Sequence, residues 1–156
     1  MKSDQSSSLQ NMTNNMISIE ELLAEFEFLN DWEERCDFLI DLGFELPPMT
    51  DSDKTEKNRV HGCQSMVWLT TGLQKVGERE ELQIIADSDA LIVKGLIAVL
   101  LAIYNHKTPE EVMQIDVKQY FSQLQLDKYL SSQRKNGLFG MVERVQQEAI
   151  SLADQN

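Results

Sequence analysis

Residues 82–105 read LQIIADSDALIVKGLIAVLLAIYN, and this stretch decides the class of the fold. Leu82 to Ala86 has the composition and the two-residue period of a strand. Ser88 then offers an N-cap to a run from Ala90 to Tyr104 that is apolar except for one lysine. The run is shorter than the roughly 20 residues that cross a bilayer. We therefore predict a strand followed directly by a buried helix.

The preceding segment keeps the period of strands. Arg59 to His61 and Met66 to Thr71 are candidate strands, separated from each other by a turn at Gly62. Residues 72–80 form the connection to the strand at Leu82 to Ala86. Three short strands joined in this order predict a three-stranded antiparallel sheet.

Helices are predicted before the sheet. Residues 18–21, Ser-Ile-Glu-Glu, match a capping box, and apolar residues follow at helical spacing. Asn30 is placed to cap a second helix, which Gly43 is placed to end. Residues 1–16 are polar and predict a disordered tail, so the folded domain is expected to span residues 17–156.

Helices are also predicted after the sheet. Residues 108–111, Thr-Pro-Glu-Glu, form a second capping box with proline at the first helical position. A short helix is expected near residues 120–126, and an apolar stripe predicts a last helix from about Gln133 to Ala153. The expected fold is a single α+β domain with helices packed on the antiparallel sheet.

The charge and the cysteine content limit the possible partners and compartments. The chain has 26 acidic and 14 basic residues, so a nucleic acid or an anionic membrane surface is not expected to bind it. Residues 1–16 lack the apolar core of a secretory signal. With only two cysteines, a reducing cytoplasmic setting is expected, where a thiol is either reactive or inert.

Cys63 is the candidate for the reactive thiol. It lies in residues 61–65, His-Gly-Cys-Gln-Ser, where glycine permits a tight turn between two predicted strands. Four basic residues precede it in an otherwise acidic chain: Lys54, Lys57, Arg59 and His61. Nearby positive charge favours the thiolate, which is the nucleophile in sulfur exchange. An inert buried cysteine is the alternative.

Other residues are better explained by structure than by chemistry. The helical neighbours of Cys36 predict that it fills space in the core. Asp87 and Asp89 flank Ser88 at the start of a helix, where acidic groups interact favourably with the positive end of the helix dipole. The cysteines and histidines do not have metal-ligand spacing, and there is no phosphate-binding loop. We predict neither a metal site nor a cofactor.

Three separated motifs resemble those of the SufE family of sulfur acceptors. They are Gly62-Cys63-Gln64-Ser65 with Val67-Trp68, Ser88-Asp89-Ala90 leading into residues 92–98, and Arg134 with Asn136-Gly137-Leu138. They occur in the family's order and spacing over roughly residues 19–149. The resemblance implies a SufE/IscU-like fold and a role in iron–sulfur cluster assembly.

The resemblance also implies a reaction and its participants. Cys63 would accept sulfur from a pyridoxal-phosphate-dependent cysteine desulfurase of the SufS type and pass it to a scaffold complex of the SufBCD type. Arg134 would stabilise the thiolate or the persulfide. Asp89, His61 and Gln64 would contribute to partner binding. The chain would stimulate the desulfurase as a sulfur-transfer protein, acting as a monomer or a homodimer.

Two other classes of function remain open on the sequence alone. The chain is compatible with a non-catalytic module that activates the desulfurase allosterically, for which the thiol is not needed. It is also compatible with a free-standing cysteine-dependent enzyme. In that case His61, on the same side of an extended segment as Cys63, would be the general base.

Overall fold

A computed structural model describes residues 16–62 and 64–154. The elements in this part are α1 (Ile19–Phe28), α2 (Trp32–Phe44), a 3-10 turn (Asp51–Asp53), β1 (Val67–Val76), β2 (Arg79–Ser88), α3 (Leu91–Tyr104), α4 (Pro109–Gln114), α5 (Val117–Gln123), α6 (Leu126–Tyr129) and α7 (Ser132–Asp154). The predicted tail lies outside the described residues except for Met16, which is buried against the core.

The sheet is a single antiparallel hairpin. β1 and β2 pair along their full length, from Val67 opposite Ser88 to Val76 opposite Arg79. Val67 and Leu69 of β1 are buried on one face, as the two-residue period predicts. The strands are longer than predicted, because the turn between them consists only of residues 77–78.

The prediction of a third strand is wrong. In the described residues the sheet has two strands, and Arg59 forms only an isolated antiparallel bridge with Trp68. Two backbone hydrogen bonds hold this segment to β1, from Val60 N–H to Val67 O at 2.8 Å and from Leu69 N–H to Asn58 O at 2.8 Å. Turns before Arg59 and the left-handed Gly62 after it keep the paired segment too short for a strand.

The core is built around α3. Residues 95–104 are all buried, and α3 packs against β2, α1 and α2. Gly95 lies so close to α2 that a Cβ atom there would be 2.6 Å from the carbonyl oxygen of Leu39. Gly43 of α2 meets α3 in the same way, with a Cβ position 2.8 Å from Cβ of Lys94. The two glycines allow these helices to approach each other closely.

The helix ends agree in part with the predictions. Both predicted capping boxes are present, at Ser18 and at Thr108. The second helix is capped by Asp31, one residue after the predicted Asn30, and Gly43 lies inside this helix, where it serves packing rather than termination. The hydroxyl of Ser88 accepts a hydrogen bond from the N–H of Ala90, the residue before α3.

Candidate functional site

The predicted cysteine loop joins the bridged segment to β1. Cys63 itself lies outside the described residues, so its predicted role rests on its neighbours. Gly62 has a φ of 95°, a left-handed backbone conformation that residues with a side chain rarely adopt. A Cβ atom there would meet nothing within 4 Å. Glycine is therefore needed for the backbone of this turn and not for space. Gln64 is exposed and Ser65 is half-buried.

The loop borders a cavity of about 100 Å³. Gln64 and Ser65 line one side, and Arg134 at the start of α7 lines another. Apolar side chains of α3 and α7 complete the lining, among them Val93, Leu96, Leu138 and Met141. The structure thus brings Gln64 and Arg134, two of the predicted site residues, to one cavity that polar and apolar side chains line together.

Arg134 is the cation of this cavity. Its backbone N–H donates to Oγ of Ser131 at 3.2 Å, which places the residue in the first turn of α7. The side chain is half-buried, and its guanidinium group has no ion-pair partner among the described residues. It is therefore available to interact with an anion in the cavity.

The basic residues before Cys63 are mostly engaged with carboxylates. Lys54 Nζ lies 3.0 Å from Asp87, and Arg59 and His61 lie 3.6 Å and 3.2 Å from Glu56. The hydrogen bond to Asp87 and then its charge raise the pKa of Lys54. These contacts reduce the field that the sequence predicts at Cys63 and leave Arg134 as the cation of the cavity.

Asp89 supports the loop at its second end. Its Oδ1 accepts a hydrogen bond from the N–H of Met66 at 3.0 Å, and its own N–H donates to Met66 O at 3.2 Å. The sequence predicts that this side chain binds a partner or interacts with the positive end of the α3 dipole. The structure adds a local role, since Asp89 joins the loop to the start of α3.

His61 lies at a different surface from Arg134. Its side chain is 66% exposed and pairs with Glu56. It lines a groove of about 260 Å³ together with Gly140 and Arg144 of α7. The contact with Glu56 orients the imidazole, but the groove is not the one that Gln64 and Ser65 line. The role of His61 as a general base for Cys63 therefore stays a prediction.

Sequence reasoning missed Arg144. This residue lies in the middle of α7, and its guanidinium group donates to the backbone carbonyls of Lys57 and Arg59. A basic residue in a long amphipathic helix has the pattern of a solvated face, so no local feature of the sequence indicates these contacts. The partners are 85 and 87 residues away in the chain.

Cys36 is half-buried, and burial, followed by the charges of Asp37 and Glu33, raises the pKa of its thiol, so the neutral form is favoured. Across residues 16–62 and 64–154, no group of three or more His, Cys, Asp or Glu side chains is placed to hold a metal ion. None of the helices in these ranges is long and apolar enough to cross a membrane.

Comparison with known proteins identifies the family. Residues 20–149 match the model of the SufE family, described as an Fe-S metabolism associated domain. The chain belongs to the SufE family. An uncharacterized SufE-like protein of Rhizobium etli is 42% identical over 134 residues, which are 86% of this chain and 90% of that protein. One of Rhizobium meliloti is 41% identical over 134 residues, 86% of this chain and 96% of that protein.

A solved structure supports the fold. The solution structure of a hypothetical protein from Thermus thermophilus superposes with a TM-score of 0.64 and covers 87% of this chain and 97% of that one. The two sequences are 21% identical, so the likeness concerns the fold alone. Membership of the SufE family associates the chain with iron–sulfur metabolism.

Proposed function

We propose that this SufE-family protein is a sulfur acceptor and carrier whose working residue is Cys63. It takes sulfur from the persulfide of a pyridoxal-phosphate-dependent cysteine desulfurase of the SufS type, and so stimulates that enzyme. It then delivers the sulfur to a scaffold complex of the SufBCD type. The observation that carries the proposal is the cavity that Gln64 and Ser65, next to Cys63 in the chain, share with Arg134.

The transfer balances without an added oxidant. The thiolate of Cys63 attacks the outer sulfur of the desulfurase persulfide, a new S–S bond forms, and the S–S bond on the desulfurase breaks. The desulfurase cysteine leaves as a thiolate, and Cys63 becomes a persulfide. Since one S–S bond replaces another, the electron count of the pair is unchanged.

Arg134 acts on the charged forms of Cys63 in this proposal. Both the thiolate and the persulfide are anions, and a guanidinium group that pairs with no carboxylate in the described part of the chain stabilises an anion beside it. The apolar side chains of Val93, Leu138 and Met141 line the same cavity, and an apolar surrounding strengthens an interaction between charges. Shelter of this kind also protects a persulfide from stray reductants.

The partners fit the remaining surface features. Asp89 is exposed next to the loop, and with Gln64 and His61 it is proposed to contact the desulfurase. The proposal places the chain in the cytoplasm, where it binds the desulfurase as a single subunit whether it is itself a monomer or a homodimer. Allosteric activation without sulfur transfer is the competing function, because exposed residues around the loop also suit docking alone.

The test is the intact mass of the protein after incubation with a cysteine desulfurase and cysteine, without reductant. The native protein and Cys36→Ser should each gain one or more sulfur atoms, in a form that a thiol reverses. Cys63→Ser should gain none and should no longer stimulate the desulfurase. If Cys63→Ser stimulates the enzyme as fully as the native protein does, allosteric activation replaces sulfur transfer as the function.

A further inference from the structure

Arg144 holds the segment that leads into the cysteine loop. Its Nη2 donates to Lys57 O at 3.0 Å and its Nη1 donates to Arg59 O at 3.2 Å. A guanidinium group is planar, and its fork of donors can bind two carbonyl oxygens at once. Arg144 therefore fixes two alternate residues of this segment against α7.

The guanidinium group is itself held in place from the sheet. Arg144 Nε donates to Oε1 of Glu148 at 3.0 Å, one turn later in α7. The other carboxylate oxygen of Glu148 accepts a hydrogen bond from Oγ1 of Thr71 in β1 at 3.1 Å. The chain of contacts runs from β1 through Glu148 and Arg144 to the segment before the loop.

Close packing of α7 continues to the residue before Gly62. A Cβ atom at Gly140 would lie 3.3 Å from the carbonyl oxygen of His61, so this glycine lets the helix approach the backbone there. On its other side, the segment makes the two hydrogen bonds to β1 that form the isolated bridge. The residues before Gly62 are thus held between α7 and β1.

We propose that Arg144 is a positioning residue for Cys63, setting the place of the cysteine loop relative to Arg134. The inference rests on the proposed function in taking Cys63 as the working thiol. Both arginines belong to α7, and ten residues of helix separate them by about 15 Å. Because the helix is rigid, anchoring the loop at Arg144 also fixes its distance from Arg134.

The rest of the site fits this division of work. Asp89 holds the loop at Met66, after Cys63, and Arg144 holds the segment before the loop at Lys57 and Arg59. Neither Arg144 nor Glu148 lines the cavity that contains Arg134, so their action on the thiol is indirect. Glu143 is the other charged residue of α7 at the groove beside His61 and Arg59.

The experiment measures alkylation of Cys63 by iodoacetamide as a function of pH, in a Cys36→Ser background. Arg144→Gln should raise the apparent pKa of Cys63 by about half a unit and slow alkylation at pH 7 about threefold, since a loosened loop no longer holds Gln64 and Ser65 at the cavity that Arg134 lines. Arg134→Gln should act in the same direction. The double variant should shift no further than Arg134→Gln alone, because Arg144 acts through Arg134.

Arg79→Gln is the matched control. Arg79 also binds a backbone carbonyl, that of His106, and pairs with the carboxylates Glu81 and Glu111, but at the end of the hairpin away from Val67. Arg79→Gln should lower the melting temperature without changing how the alkylation rate of Cys63 depends on pH. Arg144→Lys should not restore the native profile, since an ammonium group lacks the planar fork of donors.

Three results would overturn the proposal. They are a profile of Arg144→Gln that matches Arg79→Gln, shifts of Arg134→Gln and Arg144→Gln that add fully, and faster alkylation in Arg144→Gln. If Arg144→Gln does not fold, Arg144→Lys takes its place with the same expected direction. The assay needs no desulfurase, so it fails or succeeds independently of the sulfur gain that tests the proposed function.

Discussion

Asp89 has two separable properties at the level of a single residue. One carboxylate oxygen accepts the N–H of Met66 at 3.0 Å, which needs an acceptor but no net charge. The side chain is also exposed, so its charge is available to a basic partner. An amide keeps an acceptor and loses the charge, whereas alanine loses both.

Substitution of Asp89 separates these two properties. Asp89→Ala should lower the free energy of unfolding by about 1 kcal/mol and speed amide exchange at Met66, because the N–H loses its acceptor. Asp89→Asn should leave both close to native. If the charge also binds the desulfurase, both variants should weaken binding in titrations of desulfurase stimulation. Equal destabilisation by Asn and Ala would contradict the local role assigned to this oxygen.

At the level of elements, the contact between α2 and α3 sets the core. The Cβ position at Gly95 lies 2.6 Å from Leu39 O, a backbone atom that cannot move without the helix. Gly72 in β1 provides the contrast, because a Cβ atom there would meet nothing within 4 Å. The two glycines thus differ in the room available for one methyl group.

Gly95→Ala should destabilise the protein by about 2 kcal/mol, because the added methyl group forces α2 and α3 apart. Gly72→Ala should be neutral or slightly stabilising, since alanine restricts the unfolded chain without a clash. Urea unfolding followed by circular dichroism measures both. A Gly95→Ala protein as stable as Gly72→Ala would show that the helices can separate at little cost, against the packing described.

Local patterns predicted most of the elements, and non-local contacts account for what they missed. The capping boxes at Ser18 and Thr108 depend on residues three apart, so the sequence contains all the information they need. A three-residue candidate strand does not reveal how far it pairs, and Arg59 forms only one bridge. Gly43 has the sequence pattern of a helix terminator, and only its contact with α3 in the fold shows that it serves packing. Motifs indicated Arg134, whereas Arg144 contacts a segment 85 residues away.

At the scale of the whole molecule, Asp87 joins three parts of the chain. It lies in β2, and its carboxylate pairs with Lys54 at 3.0 Å and with Lys94 of α3 at 3.5 Å. Lys54 also lies over the ring of Trp68, 5.5 Å from its centroid, so this residue of the segment before the loop also contacts β1. In a chain with a net charge of −12, this carboxylate has two cations beside it.

These contacts determine how stability depends on pH. Burial raises the pKa of Asp87, but hydrogen bonds from Lys54 and from the Ser88 N–H, with the charge of Lys94, outweigh it and lower the pKa below the ordinary 3.8. A carboxylate whose pKa is lower in the folded state stabilises the protein above its unfolded pKa. The stabilisation is lost as the pH falls through the folded pKa.

Asp87→Asn should therefore lower the free energy of unfolding at pH 7 by about 2 kcal/mol, the loss of charged hydrogen bonds. The difference in the free energy of unfolding between native and variant should stay constant down to about pH 5, begin to fall near the ordinary pKa of 3.8 and disappear only below the folded pKa. Asp41→Asn is the control, since Asp41 is exposed on α2. The free energies of unfolding of this variant and the native protein should differ little at every pH. Acidification also relieves the general repulsion of the acidic chain, but it does so equally in native and variant proteins. Denaturant melts from about pH 2 to 7 therefore isolate Asp87, and a difference in the free energy of unfolding that is as large at about pH 2 as at pH 7 would rule out the ion pairs as its cause.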